Sequence, residues 1–364
     1  MRMNRRELLS ASALLLAGPG FALRSAAAQT AAAPTPIVLC WNENPYGPSP
    51  AARAAAAGAI DTGCRYPSDA DLDDLVARIA RKEGTDAQHI VTGTGSGELL
   101  CALALTLGRD GGEFIAAGPT YLELPEYAEG IGASTHFVPV DAQLQHDLAA
   151  MRAAVGPKTR AVYLCNPNNP TGTALPADAI RSFVTSLPAE VTVIVDEAYM
   201  DFTTLPGVRS VADLVDTYPV VVLRTFSKIH GMAGMRMGYA VARPELAARL
   251  RKARMTTPNL MAVRAARASL DDADFLSSTR TKILASRTRI TTELTRLRRR
   301  YAVPQGNFVF FDTGMPLATF TSRMKERNVL VGRRFPPYDS WCRITIGTES
   351  EVEACVQALR ATLA

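Results

Sequence analysis

Residues 191–199 have the sequence Val-Thr-Val-Ile-Val-Asp-Glu-Ala-Tyr, and residues 220–228 have the sequence Val-Val-Val-Leu-Arg-Thr-Phe-Ser-Lys. Each stretch begins with a short, mostly β-branched apolar run and ends with side chains that can carry chemistry. Apolar runs without polar alternation are typical of strands covered on both faces, as in a parallel sheet between two layers of helices. The two stretches therefore predict an α/β fold with functional groups at its strand ends.

Four further runs of this kind lie upstream and alternate with longer helical patterns: His89–Thr92, Glu113–Ala117, Thr135–Val140 and Arg160–Cys165. Helical connections between strands favour a mainly parallel sheet sandwiched by helices. From Asp271 the pattern changes to a long charged amphipathic helix, followed by a strand, a helix and a strand at Phe308–Asp312, Leu317–Arg327 and Cys342–Ile346. This order predicts a second, smaller α+β domain.

These changes of pattern divide the chain into five segments. We expect an export signal at 1–28, a linker rich in Ala, Thr and Pro at 29–36, an N-terminal segment joining the small domain at 37–64, a large domain at 65–270 and a small C-terminal domain at 271–364.

The composition of the 364 residues excludes several classes of protein. The chain is 47% apolar and 21% charged, with a mean hydropathy of +0.03, which argues against a disordered tail, a coiled coil or a polytopic membrane protein. Residues 1–28 contribute +3 of the net charge of +5, which leaves +2 for residues 29–364, too little to indicate nucleic acid as a partner. We expect the cluster formed by Arg296, Arg298, Arg299 and Arg300 to lie on the outer face of a helix, because apolar residues precede it at helical spacing.

The N-terminus has the layout of a targeting signal. Arg5 and Arg6 precede an apolar run at 8–23, which is interrupted at 18–20 by Gly-Pro-Gly and followed by three alanines ending at Ala28. This layout resembles a twin-arginine export signal. The run is too interrupted to span the ~30 Å of a bilayer core, so we expect no stable membrane insertion. We expect cleavage near Ala28 and a periplasmic or exported bacterial protein, with an uncleaved anchor or a misassigned start codon as alternatives.

Cysteine and histidine spacing gives no sign of a disulfide framework or a metal site. The six cysteines include no Cys-x-x-Cys pair, and several lie inside apolar runs, where a free thiol behaves as a small hydrophobe. The four histidines show no metal-ligand spacing. We expect neither an obligatory disulfide nor a metal centre.

Polar side chains follow four of the predicted strands. The first strand leads into Gly-Thr-Gly-Ser-Gly-Glu at 93–98, at the start of a helix, where free N–H groups can bind phosphate. The later strands are followed by Asn-Pro-Asn-Asn-Pro-Thr-Gly at 166–172, by Asp196, and by Lys228. Because the carboxyl ends of parallel strands meet at one edge of a sheet, these groups are expected around one crevice. A cofactor with a phosphate, a phenol oxygen, a basic ring nitrogen and an aldehyde could use all of them.

These motifs resemble a known family. Asn-Pro-Thr-Gly at 169–172, Asp-Glu-Ala-Tyr at 196–199, and Ser227-Lys228 with Arg236 resemble the pyridoxal-phosphate (PLP) aminotransferases of fold type I. Asn-Glu-Asn-Pro-Tyr-Gly at 42–47, Arg-Tyr-Pro at 65–67 and Arg-Ile-Thr-Ile-Gly at 343–347 are similar to the histidinol-phosphate aminotransferase branch. The resemblance covers residues 37–364 and implies that the large domain binds pyridoxal 5'-phosphate.

The resemblance implies catalytic roles for Lys228, Asp196 and Tyr199. Lys228 would bind the cofactor's aldehyde carbon and later move the substrate proton, and a lysine suits both tasks because burial lowers its pKa. Asp196 would keep the ring nitrogen protonated, which makes the ring an electron sink. Tyr199 and Asn169 would hydrogen-bond the phenolic oxygen.

The resemblance also implies the residues that bind phosphate, ring and substrate. The phosphate receptors would be Ser96, Gly97, Thr225, Ser227 and Arg236, and Tyr121 would stack on the ring. Tyr66 would reach the phosphate of the neighbouring subunit, which implies a homodimer with shared active sites. Arg343 would bind the substrate carboxylate through its planar fork, and the other substrate-binding residues would be Tyr46, Asn44 and Arg333.

We therefore expect a PLP-dependent aminotransferase that moves an amino group between a histidinol phosphate-like or aromatic donor and a 2-oxo acid. A decarboxylase, lyase or cyclase on the same scaffold is the alternative, because motifs do not encode which substrate bond aligns with the ring. A nicotinamide dehydrogenase is disfavoured, since the run at 113–117 ends in Gly-Pro-Thr-Tyr rather than in an acidic residue. A non-catalytic binding module is a further alternative, and it would require that Lys228 and Asp196 no longer have a catalytic role.

Overall fold

The computed structural model describes residues 35–364. The predicted export signal and all but the last two residues of the predicted linker lie outside the described residues.

The strands of the described part are short and follow the chain in this order: β1 (Ile37–Leu39), β2 (Ile90–Gly93), β3 (Glu113–Gly118), β4 (Ser134–Pro139), β5 (Thr159–Cys165), β6 (Thr192–Asp196), β7 (Val220–Thr225), β8 (Gly238–Ala242), β9 (Phe308–Asp312), β10 (Val329–Val331) and β11 (Trp341–Thr345).

The helices are α1 (Pro50–Ala57), α2 (Asp69–Glu83), α3 (Ser96–Gly108), α4 (Glu123–Gly130), α5 (Leu148–Ala153), α6 (Ala177–Thr185), α7 (Pro244–Ala253), α8 (Leu260–Leu270), α9 (Ala273–Arg296), α10 (Leu317–Glu326) and α11 (Glu349–Leu363).

The largest sheet has the order β2-β8-β7-β6-β5-β3-β4. The pairs β3–β4, β3–β5, β5–β6 and β6–β7 are parallel, which confirms the predicted α/β class with a mainly parallel sheet. All six predicted strands of this sheet are present, with ends within one residue of the prediction. The sequence analysis missed β8, which runs antiparallel between β2 and β7. Its Gly and Ala residues have weak strand propensity, so its place depends on the two neighbours it joins.

The apolar runs are covered on both faces, as their lack of alternation predicted. Val193 and Val195 of β6 pack into one core cluster, whereas Ile194 packs into the cluster on the other face. β7 behaves in the same way, with Val220 and Val222 on one side and Val221 on the other. The strand ends are therefore held by two layers of packing.

A separate core forms around the C-terminal elements. β9 and β11 pair antiparallel, β1 pairs parallel with β10, and their apolar residues pack against α9, α10 and α11. Residues 36–364 cluster into one compact unit, so the limits proposed for the large and small domains stay a prediction. All six cysteines are free thiols in this unit.

The position of the arginine cluster at 296–300 differs from the prediction. α9 ends at Arg296, and Arg298 has a φ of 54°, so the last three arginines lie beyond the helix. Arg299 donates to the carbonyl of Leu363 at 2.8 Å, and Arg300 lies over the ring of Trp341. Apolar residues at helical spacing, Ile290, Leu294, Leu297 and Tyr301, continue past the end of the helix, so the spacing predicted a helix that was too long.

Candidate active site

A cavity of about 570 Å³ lies at the carboxyl ends of the parallel strands. It collects side chains that are far apart in the sequence. Of the predicted site residues, those that line it are Ser96, Gly97, Tyr121, Asn169, Asp196, Tyr199, Thr225, Ser227, Lys228, Arg236, Arg333 and Arg343. The structure therefore brings the amine, the carboxylate and the phosphate receptors together around one space.

Lys228 follows β7 and its amine points into the cavity. Its Nζ donates to the carbonyl oxygen of Asn42 at 3.1 Å and lies 5.4 Å from the centroid of the Tyr199 ring. Burial, and next to it the nearby Arg343 cation, lower the pKa of Lys228 to about 8. Roughly a tenth of the amine is thus neutral at pH 7, far more than for a lysine with the ordinary pKa of 10.5, and a nucleophile toward an aldehyde must be neutral.

Asp196 ends β6 and is only 2% exposed. Its oxygens accept hydrogen bonds from the Tyr163 hydroxyl and the Ala198 backbone N–H, both at 3.1 Å. Both donors are neutral, and burial raises the pKa of Asp196. A buried carboxylate that has only neutral donors is stabilised by a cationic partner. The protonated nitrogen of a pyridine ring is such a partner.

Tyr199 is buried, and its hydroxyl accepts a hydrogen bond from Nδ2 of Asn42 at 3.0 Å. Its ring packs edge-to-face on Phe308 at 5.0 Å between centroids. Burial raises the pKa of Tyr199, so the hydroxyl keeps its proton and can donate it to an oxygen in the cavity.

Arg343 lies on β11 and is buried, and its guanidinium reaches the cavity. Nη1 donates to Oδ1 of Asn169 at 2.5 Å, and Nη2 donates to the carbonyl oxygen of Cys40 at 2.6 Å. Its Nε is buried and has no hydrogen-bond partner within residues 35–364. Because Oδ1 of Asn169 is engaged, the amide of Asn169 can meet a phenolic oxygen only through its NH₂ group.

The phosphate end is formed where α3 begins beside β8. No side chain caps α3, so the N–H groups around Ser96 remain available to an anion. Arg236 supplies a cation, and Thr225 and Ser227 supply hydroxyls. Gly95 has a φ of +84°, and a Cβ there would lie 2.5 Å from Nη2 of Arg236, so only glycine allows this approach.

Three of the predicted residues lie outside the cavity lining. Asn44 is buried and donates to the carbonyl of Ile229 at 2.7 Å, which ties the N-terminal segment to the loop after Lys228. The ring of Tyr46 packs beside Lys282 in a different pocket. Tyr66 is 92% exposed. Their assigned roles stay predictions.

Several residues of the site were not predicted from the sequence. Asn42 contacts both Lys228 and Tyr199, and its φ of 56° suits asparagine better than most residues. It stands in the quoted motif at 42–47, so the signal was available. Tyr163 lies in the middle of β5, where nothing in an apolar run marks one residue as a donor to Asp196. Trp41 and Cys40 also line the cavity.

The residues present fit pyridoxal 5'-phosphate. The buried amine, the carboxylate without a cationic hydrogen-bond partner, and the anion receptors at α3 match its aldehyde, ring nitrogen and phosphate. The described residues contain no group of three His, Cys, Asp or Glu side chains that could hold a metal ion. Among them there is also no helix with the length and apolar character needed to cross a membrane.

Comparison with known proteins agrees with this geometry. The family model described as aminotransferase class I and II matches residues 34–359. A histidinol-phosphate aminotransferase from Moorella thermoacetica is 37% identical over 333 residues, which cover 90% of this chain and 86% of that protein. An aromatic amino acid aminotransferase from Rhodococcus jostii is 38% identical over 329 residues, 88% of each protein.

A solved structure shows the same fold with its cofactor. The histidinol-phosphate aminotransferase of Sinorhizobium meliloti in complex with pyridoxal-5'-phosphate superposes with a TM-score of 0.84. It is 28% identical, and the match covers 90% of this chain and 91% of that one.

Proposed function

Because this chain belongs to the class I and II aminotransferase family, we propose that its amino donor carries an aromatic or imidazole ring together with an anionic group that Arg343 binds. The chain is a PLP-dependent transaminase with a 2-oxo acid as acceptor. Histidinol phosphate and the aromatic amino acids, which the names of two relatives specify, share a planar ring. The observation that carries the proposal is the cavity lining, which includes the apolar side chains of Trp41 and Val331 together with the buried Arg343.

Pyridoxal phosphate supplies an aldehyde that binds amines and a protonated ring that accepts electrons from the substrate's Cα. Lys228, Asp196 and Tyr199 are the residues that hold these groups. Asp196 keeps the proton on the ring nitrogen, because its buried carboxylate favours a cation beside it. The Tyr199 hydroxyl orients the phenolic oxygen, and the receptors at the start of α3 hold the phosphate.

Lys228 then acts as the proton carrier. With cofactor and substrate bound, its Nζ would take the proton from the substrate's Cα. An amine with a pKa of about 8 can both accept and return a proton near neutral pH. The hydrogen bond to the carbonyl of Asn42 keeps Nζ beside the reacting atoms. Arg343 orients the substrate through its anionic group, and Trp41 packs on the ring.

The experiment is a single-turnover reaction of the holoenzyme with L-phenylalanine, histidinol phosphate and L-alanine. We expect the ring-bearing donors to react about tenfold faster or more than L-alanine, because they bury additional apolar surface. Mass spectrometry should show the 2-oxo product of the donor. Equal rates with L-alanine would contradict the proposed donor class, and release of CO₂ or an elimination product would favour the decarboxylase or lyase alternative.

Trp41 offers a sharper test with a matched control. Trp41→Ala should remove most of the preference for a ring-bearing donor. Val303→Ala changes another exposed apolar residue that does not line the cavity, and should leave the preference unchanged. A preference that survives Trp41→Ala would contradict the assigned role.

We further propose a homodimer in which Tyr66 completes the phosphate site of the neighbouring subunit. The resemblance motif at 65–67 and the 92% exposure of Tyr66 support this arrangement. Mixing the inactive variant Lys228→Ala with Tyr66→Phe tests it, since one of the two sites in a mixed dimer would then have an intact Lys228 and an intact Tyr66. We expect more activity per intact Lys228 than in the Tyr66→Phe dimer. No gain on mixing would contradict shared sites.

We also propose that residues 1–28 direct export by the twin-arginine route with cleavage near Ala28. Arg5 and Arg6, the short apolar run and the alanines at 26–28 support this proposal. N-terminal sequencing of the protein from the periplasmic fraction should find Gln29 first. Arg5→Lys with Arg6→Lys should retain the protein in the cytoplasm. A periplasmic chain that still begins at Met1 would contradict cleavage, and export of the double variant would contradict the route.

A further inference from the structure

Directly behind the cavity, the opposite face of the sheet carries buried charges. β6 and β7 lie side by side, with Asp196 opposite Leu223, and the N–H of Glu197 donates to the carbonyl of Leu223 at 2.9 Å. Successive residues along a strand point to opposite faces. Asp196 and Thr225 therefore line the cavity, whereas their neighbours Glu197 and Arg224 lie behind it.

Arg224 is surrounded by acidic side chains. Its Nε lies 3.3 Å from Oε2 of Glu197 and 3.9 Å from Oε1 of Glu83, and its Nη1 lies 4.0 Å from Oδ2 of Asp201. The side chain of Glu197 is fully buried and that of Arg224 is 12% exposed. Glu83 also accepts a hydrogen bond from the Tyr239 hydroxyl at 2.6 Å. Arg224 is thus the central cation among three carboxylates, of which Glu197 and Glu83 are buried.

The contact between Glu197 and Arg224 is electrostatic rather than a formed hydrogen bond. Within residues 35–364, Oε2 of Glu197 and both Nε and Nη1 of Arg224 are buried without a hydrogen-bond partner. Burial raises the pKa of Glu197, and Arg224 opposes that effect more than any other group. Loss of Arg224 would leave the buried charge of Glu197 without a cation. Loss of Glu197 would leave Arg224 only the more distant carboxylates of Glu83 and Asp201.

We propose that Glu197 and Arg224 are a positioning pair that holds the ends of β6 and β7 at the spacing the cofactor requires. The pair touches neither cofactor nor substrate. It acts through the adjacent residues, because Asp196 serves the ring end of the cofactor and Thr225 serves its phosphate end. A rigid molecule that must satisfy both strands binds well only at one spacing, so a small displacement weakens both contacts at once.

The test is a double-mutant cycle on cofactor binding. Apo forms of the wild type, Glu197→Gln, Arg224→Gln and the double variant are titrated with PLP, and the dissociation constant is taken from the visible absorbance band. We expect each single variant to weaken binding about tenfold or more, because a buried charge loses its nearest partner of opposite sign. The double variant should bind PLP better than the two single losses combined would predict, because the Glu197–Arg224 interaction that each single variant breaks can be lost only once. Additive losses in the double variant would overturn the proposal.

A second readout separates positioning from general stabilisation. If Asp196 is displaced, the ring nitrogen of PLP loses its proton more readily. The ring then withdraws fewer electrons, so Nζ of Lys228, when joined to PLP, keeps its proton to higher pH. The pH midpoint of the visible band should therefore move upward in both single variants, and in the double variant it should move by less than the sum of the two single shifts. An unchanged midpoint in both single variants would overturn the proposal.

Two further variants guard against misfolding. Glu293→Gln removes another buried carboxylate with arginine partners, away from the cavity, and should lower thermal stability while PLP binding stays within about threefold of the wild type. Arg224→Lys keeps the charge and should also stay within about threefold. Tenfold weaker PLP binding in either variant would overturn the proposal. The two variants therefore still test it if Arg224→Gln does not fold.

Discussion

Asp196 and Glu293 are two carboxylates with the same 2% exposure and opposite surroundings. Glu293, on α9, accepts hydrogen bonds from Arg360 at 2.7 and 3.0 Å and further ones from Arg289 and Arg296. These bonds, that of Arg360 first, lower the pKa of Glu293 to about 2. Asp196 accepts only from neutral donors, and burial raises its pKa.

This difference is what we expect between a structural carboxylate and one that binds a cofactor. The protein itself neutralises Glu293, so that residue has no further need of a cation. Asp196 has no cationic hydrogen-bond partner among the described residues, and we propose that the cofactor's ring nitrogen supplies one. Equal burial therefore says little about role, whereas the charge of the hydrogen-bond partners says much.

The largest effect should appear when each carboxylate is replaced by its amide. Asp196→Asn should lower kcat/KM about 10³-fold, because the amide cannot hold the proton on the ring nitrogen. Glu293→Gln should change kcat/KM by less than about twofold, since it touches no reacting group. Steady-state assays of both holoenzymes measure this contrast. Similar losses in the two variants would show that the comparison is wrong.

The amine that shares the cavity with Asp196 should titrate unusually. Covalent capture of PLP by the apoenzyme requires the neutral form of Lys228, whose pKa is about 8 instead of 10.5. The capture rate should rise about tenfold per pH unit below pH 8 and level off above it. Stopped-flow absorbance between pH 6 and pH 10 measures the profile. A rate that still rises at pH 10 would indicate an ordinary, solvated lysine.

Replacing the two carboxylates should change the stability of the apoenzyme in opposite directions. Glu293→Gln should lower the free energy of unfolding by about 1–2 kcal/mol, less than the ~3–5 kcal/mol of a fully buried pair, because its arginine partners are 34–57% exposed. Asp196→Asn should raise it by about 1 kcal/mol, since a buried anion is removed. Urea unfolding of apo proteins measures both values. A stabilised Glu293→Gln or a destabilised Asp196→Asn would contradict the assigned surroundings.

Acid should distinguish the two carboxylates in the same way. The pKa of Glu293 falls from 4.5 in the unfolded chain to about 2 in the folded one, so its stabilisation is present above pH 4.5 and is lost as pH falls toward 2. Asp196 has a raised pKa in the folded chain, so its contribution to the free energy of unfolding increases as pH falls. Between pH 5 and pH 3, Glu293→Gln should therefore lose less stability than the wild type, and Asp196→Asn should lose more. Parallel curves would show that neither pKa is shifted.

The smallest effect concerns the neutral donor to Asp196. Tyr163→Phe removes one hydrogen bond to the carboxylate and should lower kcat/KM about three- to tenfold, in line with a net hydrogen bond of ~1 kcal/mol. Tyr163 has a fully buried ring that the phenylalanine retains, so folding should persist. Turnover equal to the wild type would mean that the hydroxyl has no part in orienting Asp196.

The sequence alone determined the α/β class and most of the site. Local information was sufficient because an apolar strand covered on both faces has a recognisable pattern, and because the residue after such a strand must lie at the sheet's carboxyl edge. Lys228, Asp196, Asn169 and the loop at 93–98 could therefore be assigned to one crevice from their positions relative to the predicted strands.

The tertiary structure decided which residues contact one another in the site. The Asn42 contacts with Lys228 and Tyr199 join residues that are 186 and 157 positions apart, and no pattern within one segment encodes such a distance. The antiparallel β8, the Tyr163 donor and the Glu197–Arg224 pair likewise depend on which strands become neighbours. The pKa values of Lys228, Asp196 and Glu293 follow from these neighbours, because desolvation and charge act through space rather than along the chain.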